Sequence, residues 1–169
     1  YDPEKAMAFL KKSGYKGEKL KILTSKNYTP MYDQVVAAQA MWAAVGINTE
    51  IEIVDWATHL ARWKKADHEI LSFAMIGRMD PVAQTWNLSS GNFYGYKNEK
   101  IDDYRTQMNA TVDQEERNRL FREIYKITCE EVPYMINFYI NNSYAFKKNL
   151  KGFTDYDAFK TRVWNLYFE

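Results

Sequence analysis

A chain of 169 residues, 46% of them hydrophobic, can bury one ordinary core and is most simply a single domain. Its 23 basic and 22 acidic residues are interspersed and leave a net charge of +1, so no field of one sign points to nucleic acid or to a cationic partner. The single cysteine, Cys129, excludes an internal disulfide, and no apolar run approaches the length of a membrane span.

Asp2-Pro3-Glu4 opens a first helix with a capping acid and a proline in the first turn. Ala6, Phe9 and Leu10 form its apolar face and Gly14 ends it. After Gly17, the run LKILTS reads as a strand, and Tyr28-Thr29-Pro30 turns into a second helix carrying Val35, Val36, Ala40 and Trp42, closed by Gly46. Ile47, Ile51, Ile53 and Val54 give a β-branched strand, after which Asp55 caps a helix from Trp56 to Lys65. The apolar run Ile70 to Ile76 is a third strand. It completes two β-α-β units, whose crossovers are right-handed and whose strands run parallel. The fold class expected is therefore α/β, with a mixed, mainly parallel sheet flanked by helices.

The third strand stops at Gly77-Arg78-Met79-Asp80-Pro81, and in open α/β sheets ligands gather beyond the carboxyl ends of strands. Asp80 is placed to cap a short helix through Trp86, and the Gly-, Asn- and Ser-rich stretch from Asn87 to Asn98 reads as a long loop. Two helices follow, Lys100 to Met108 and Asp113 to Glu131, the second with Leu120, Ile124 and Ile127 turned inward. Val132-Pro133 stops it. Tyr134 to Tyr139 and Ser143 to Phe146 are two aromatic, β-prone runs around a turn at Asn141-Asn142, and Gly152 releases a tail. Tyr1 is no natural start, so the sequence is expected to be an excised piece whose lack of a leader says nothing about compartment. The closing NLYFE is read as a short aromatic, acidic strand in preference to a tag remnant.

Few residues here suggest chemistry. Asp102-Asp103, Glu115-Glu116 and Glu130-Glu131 are adjacent on helices, so their carboxylates point about 100° apart and read as solvated faces. His59 and His68 lack metal-ligand spacing and are expected in solvent, while Cys129 reads as semi-buried and unreactive. No phosphate-binding loop or nucleophile elbow is present, and no catalytic residue, metal or cofactor is implied.

An ordered set of motifs carries more information than any one of them. The opening YDPEKAMAFLKKSGY, the pair Asp55-Trp56, a strand into GRMDP, the aromatic loop FYGYKN, a helix ending in EEVPY and the late KKNLKGF together resemble the C-terminal lobe of family 5 solute-binding proteins. These are dipeptide- and oligopeptide-binding receptors of ABC importers. The resemblance implies one lobe of a periplasmic-binding-protein-like fold over residues 1–148 and a tail, 149–169, that returns to the other lobe. It also implies a monomer outside the cytoplasm, in the periplasm or as a lipoprotein at the outer face of the membrane. Its partners are a small-molecule or peptide ligand, the membrane subunits of the importer and a missing N-terminal lobe of the same chain, with no nucleic acid. Two other readings stay open, a solute-sensing domain of a regulator and an α/β enzyme with unmarked catalytic residues. A deep cleft holding a perturbed carboxylate or histidine would mark the enzyme.

The same resemblance assigns site residues. The Trp of the acid-Trp pair lines the pocket in the peptide receptors, which makes Trp56 the first candidate. Those receptors carry an Asp shortly before the acid-Pro pair that holds the peptide's α-amine. The matching place falls on Gly77 or Arg78, and neither is a carboxylate. Arg78 suits a carboxylate, phosphate or sugar hydroxyl instead, unless it pairs with Asp80 or lies on a plain surface. Met79 and Asp80 complete the turn, Asp80 having the structural alternative of a helix cap. Trp86, Asn87, Asn92, Tyr94 and Tyr96 follow on the same side of the strand end as cleft candidates.

Overall fold

The computed structural model describes residues 2–141, 143–154 and 162–169, and the chain divides into two compact units, Tyr1–Ala74 and Met75–Glu169. The first unit runs α1 (Pro3–Ser13), β1 (Leu20–Thr24), α2 (Thr29–Ala44), β2 (Thr49–Ile53), α3 (Trp56–Lys64) and β3 (Ile70–Leu71). Both neighbours of β1 pair with it in parallel, giving the order β2-β1-β3, with Leu20 opposite Thr49 and Ile22 opposite Ile70. The central strand is the buried one: Ile22, Leu23 and Thr24 are all out of solvent, and Met31 and Val35 of α2 join them. Local chemistry sets the helix ends. The Asp2 carboxylate accepts from the Lys5 amide at 2.9 Å, Gly14 closes α1 in the left-handed region at φ 78°, and Asp55 accepts from the Thr58 amide at 3.0 Å to open α3.

The third strand is shorter than its composition suggests. Ladder pairing runs only to Ser72, whose amide donates to the Leu23 carbonyl at 3.0 Å, because β1 itself ends at Thr24. From Ala74 onward the apolar run is exposed, with Met75 and Ile76 among the exposed hydrophobic side chains.

In the second unit, α4 (Pro81–Gln84) passes directly into a short 3-10 helix (Thr85–Leu88), followed by α5 (Glu99–Ala110) and α6 (Gln114–Glu131). Val82, Leu88, Ile101, Met108, Leu120 and Ile124 form its core, with Tyr96, Tyr104, Phe121 and Ile127 packed around them. Asn98 and Asp113 cap α5 and α6, and Val132, in the left-handed region at φ 47°, ends α6 just before Pro133. Cys129 is exposed, not semi-buried. The inward row of α6 is Leu120, Ile124 and Thr128, and the next residue along lies about 100° round the helix.

No strand forms at Tyr134 to Tyr139 or Ser143 to Phe146 among the described residues, and both runs are exposed. Their composition favours strands, but a strand exists only where a neighbour takes its backbone hydrogen bonds. The proposed turn at Asn141-Asn142 falls partly on Asn142, outside the described residues. Beyond it, β4 (Leu150–Lys151) pairs antiparallel with β5 (Tyr167–Phe168), so the closing aromatic segment is a strand. Gly152 makes this return possible: at φ 79° a side chain is strained, and a Cβ there would lie 1.9 Å from the Asn165 carbonyl oxygen.

Candidate functional site

In the first unit, three aromatic residues follow the carboxyl ends of the three parallel strands: Tyr28 after β1, Trp56 after β2 and Phe73 after β3. They meet. The Trp56 ring lies 4.9 Å from Tyr28, edge to face at 72°, and 5.9 Å from Phe73, while Phe73 packs 4.6 Å from Trp63. Trp56 is held because it is the first residue of α3, whose start the Asp55 cap fixes. Tyr28 remains 48% exposed, so the cluster keeps an open aromatic edge. Sequence reasoning missed Tyr28 and Phe73, although each stands within four residues of a strand's carboxyl end, as Trp56 does.

His59, expected in solvent, is fully buried in this cluster. It stacks on Trp56 at 5.3 Å with 13° between planes, and on Phe73 at 5.5 Å. Its Nε2 lies 3.1 Å from the Ser72 carbonyl oxygen, which can only accept, so Nε2 carries the proton; Nδ1 has no hydrogen-bond partner. Burial lowers the pKa below the usual histidine value, with His68 and Arg62 adding to the effect, so the ring is neutral. A ring so enclosed cannot exchange protons with a substrate, and its perturbed pKa is no mark of catalysis. Ser72 is itself fixed: its hydroxyl donates to the Met31 carbonyl at 2.8 Å and accepts from Gln34 Nε2 at 2.6 Å.

The second unit contains the turn. Gly77, Arg78, Met79 and Asp80 are all exposed, Met79 at 73%. The Arg78 amide donates to Gln84 Oε1 at 2.8 Å, and its guanidinium has no ion-pair partner among the described residues. Asp80 does not pair with it. Asp80 Oδ1 accepts from the amides of Val82 at 2.7 Å and Ala83 at 3.4 Å, and Oδ2 accepts from Arg117 Nη2 at 2.6 Å. Both carboxylate oxygens are thus engaged in holding α4. Arg117 also donates to the Met108 and Thr111 carbonyls, and Arg105 donates to the Val82 carbonyl and Thr85 hydroxyl, each at 2.8 Å. These two arginines brace the segment after the turn, and nothing in the sequence marks them.

The remaining candidates shape the following loop. Trp86 packs edge to face on Phe93 at 5.3 Å. Asn87 is buried with its Oδ1 unpartnered, and its side chain hydrogen-bonds Tyr134, whose hydroxyl pKa is pushed up by burial despite that bond. Tyr94 donates from its hydroxyl toward Met75 Sδ at 3.4 Å and from its amide to Asn92 Oδ1 at 2.6 Å. Asn92 Nδ2 also donates to the Tyr96 carbonyl at 2.8 Å, and the Tyr96 hydroxyl to Glu131 at 2.5 Å. Burial and that carboxylate push the Tyr96 pKa up to about 12. Two hollows of about 350 and 360 Å³ are lined mostly by charged groups, Lys100 and Glu131 in one, Arg62 and Asp67 in the other. Neither includes Trp56 or Arg78. Among the described residues no group of three or more His, Cys, Asp or Glu could hold a metal ion.

Residues 1–96, more than half of the chain, match the family of bacterial extracellular solute-binding proteins, family 5 Middle. The chain belongs to this family. A glutathione-binding protein, GsiB, of Escherichia coli O6:K15:H31 is 28% identical over 168 residues, covering 90% of this chain and 33% of that protein. The periplasmic binding protein DppA of Helicobacter pylori, solved with the peptide STSA, superposes with a TM-score of 0.78 at 24% identity over 100% of this chain and 35% of its own. A peptide binding protein described as AppA of Clostridium difficile gives 0.80 at 23% identity, over 99% of this chain and 37% of its own. The fold of this chain is therefore the α/β fold of periplasmic binding proteins, as the motif order implied. The chain spans about a third of the length of the curated relatives it matches. Its relatives are binding proteins, not enzymes, and no helix among the described residues is long and apolar enough to cross a membrane.

Proposed function

We propose that this chain is part of the substrate-binding component of an ABC importer and receives a small organic solute on the aromatic cluster around Trp56. The single observation that carries this is the gathering of Tyr28, Trp56 and Phe73 beyond the carboxyl ends of three parallel strands, where open α/β sheets bind ligands. Aromatic faces bury a solute by area and need no chemistry. The rest of the cleft comes from an N-terminal lobe of the same protein, to which the tail from Asn149 returns. The protein works as a monomer outside the cytoplasm and hands its cargo to the importer's membrane subunits.

The turn suggests the class of solute. Arg78 offers an exposed guanidinium, and the one carboxylate between Gly77 and Asp80 is committed to a helix cap and to Arg117, so an α-amine has no anchor there. An acidic group suits the planar fork of Arg78 better than an amine does. Glutathione, which the Escherichia coli relative is named for binding, is peptide-like and acidic and is the first probe to use.

Titration calorimetry of the full-length receptor with glutathione and with short acidic peptides tests this reading. Arg78→Ala is expected to cost about 1.5–3 kcal/mol, roughly ten- to 150-fold in Kd, the range for a charge-assisted hydrogen bond. Trp56→Ala loses stacking area and weakens binding with little dependence on salt. Gly77→Asp has room, since a Cβ at Gly77 meets nothing within 4 Å, and it weakens acidic solutes while favouring a free amine. Undiminished affinity in both Trp56→Ala and Arg78→Ala would remove these residues from the site.

A further inference from the structure

We infer that His59 is a positioning residue that presets the indole of Trp56 as a binding face. Its functional consequence rests on the solute reading above. The imidazole lies nearly parallel to the indole, 13° between planes at 5.3 Å, and is backed on its other contact by Phe73 at 29° and 5.5 Å. A phenylalanine or leucine could supply that packing. What the histidine adds is direction: Nε2–H donates to the Ser72 carbonyl, just past β3, and thereby ties the ring of an α3 residue to the chain at the carboxyl edge of the sheet. Ser72 cannot yield easily, because its amide bonds Leu23 of β1 and its hydroxyl bonds the Met31 carbonyl. The indole therefore rests on a plate whose tilt is set by strand-end backbone.

A cost accompanies this arrangement. Nδ1 is buried without a partner, a state that native interiors mostly avoid and that an apolar residue of similar shape would not incur. What the histidine offers against that cost is the Nε2–H bond to the Ser72 carbonyl. The ring must also stay neutral, since an imidazolium needs a second acceptor at Nδ1 that the cluster lacks. The titratable and charged neighbours that bear on it, His68 and Arg62, both oppose protonation.

The test begins with the full 169-residue chain and no ligand. Long-range nitrogen–proton spectra of the histidine rings at neutral pH are expected to show His59 neutral with the proton on Nε2, and nuclear Overhauser contacts from its ring to the Trp56 indole. A charged ring, the Nδ1–H tautomer or absent contacts would overturn the assignment without any variant. His59→Phe keeps the stack but not the tether. It is expected to broaden the Trp56 indole N–H resonance while the line width of Trp86 is unchanged, whereas a residue that only filled space would lower the melting temperature and leave the Trp56 line width as it was.

In the full-length receptor, glutathione affinity is then compared for His59→Phe, Trp56→Ala and the double variant. If His59 acts through Trp56, the double variant binds no more weakly than Trp56→Ala alone, and a further additive loss would contradict the proposal. Failure of the wild-type receptor to bind glutathione or any acidic peptide counts against the solute reading. The ring spectra decide the role of His59 in either event.

Discussion

Asp80→Ala separates a structural carboxylate from one that meets a solute. The substitution removes the α4 cap, in which Oδ1 lies 2.7 Å from the Val82 amide, a loss of about 1 kcal/mol. It also removes the 2.6 Å pair with Arg117, whose side chain is 16% exposed against 55% for Asp80. The exposed carboxylate keeps that pair near the upper end of the surface range, about 1 kcal/mol, and Arg117 is not orphaned because the Met108 and Thr111 carbonyls still accept from it. The expected total is about 2 kcal/mol for Asp80→Ala, and about half of that for Asp80→Asn, which keeps a capping oxygen. For a unit the size of Met75–Glu169, each kcal/mol moves the unfolding midpoint by about 4–8 °C. Urea denaturation of the three proteins, with hydrogen exchange at the Val82 and Ala83 amides, reads both quantities. Equal destabilisation by Ala and Asn would show that the cap contributes nothing. A loss below about 0.5 kcal/mol for Ala would refute the bracing of α4 altogether.

Leu120→Ala, at a fully buried core position, is expected to cost about 2–5 kcal/mol by denaturant titration, and a cost under 1 kcal/mol would mean the α5–α6 core is not packed as described. Acidification should weaken the first unit. Burial holds the folded pKa values of His59 and His68 below the unfolded value of about 6.5, so the unfolded chain takes up protons first. The stability contribution is full above about pH 6.5 and falls as pH drops toward the lowered values, and His59→Phe should flatten that slope. At the alkaline end the sign reverses. The Tyr96 hydroxyl, held protonated up to about pH 12, stabilises the fold fully below about pH 10 and loses that contribution as pH rises; phenol absorbance of wild type against Tyr96→Phe follows it.

Local chemistry and the parallel pairing of the first three strands were legible in the sequence, and the extent of each ladder was not. Asp2, Asp55 and Asp80 each cap the helix expected of them, because a cap is made by a residue and the amides two or three places on. The run Ile70 to Ile76 and the aromatic run from Tyr134 had strand composition, yet whether a ladder forms depends on a neighbour that composition does not specify. His59 could have been placed correctly. With Trp56, Leu60 and Trp63 it completes an i, i+3, i+4, i+7 stripe on α3, the pattern of a face turned inward. Tyr28 and Phe73 were open to the positional argument that selected Trp56. The braces from Arg105 and Arg117 span 20 or more residues of sequence and had no local signal at all.

The most direct test of the central claim is a crystal structure of the full-length protein with a bound solute. The solute is predicted to lie in van der Waals contact with the Trp56 indole, at the carboxyl ends of β1, β2 and β3. A solute seated away from Trp56, with the indole covered by protein instead, would contradict the account.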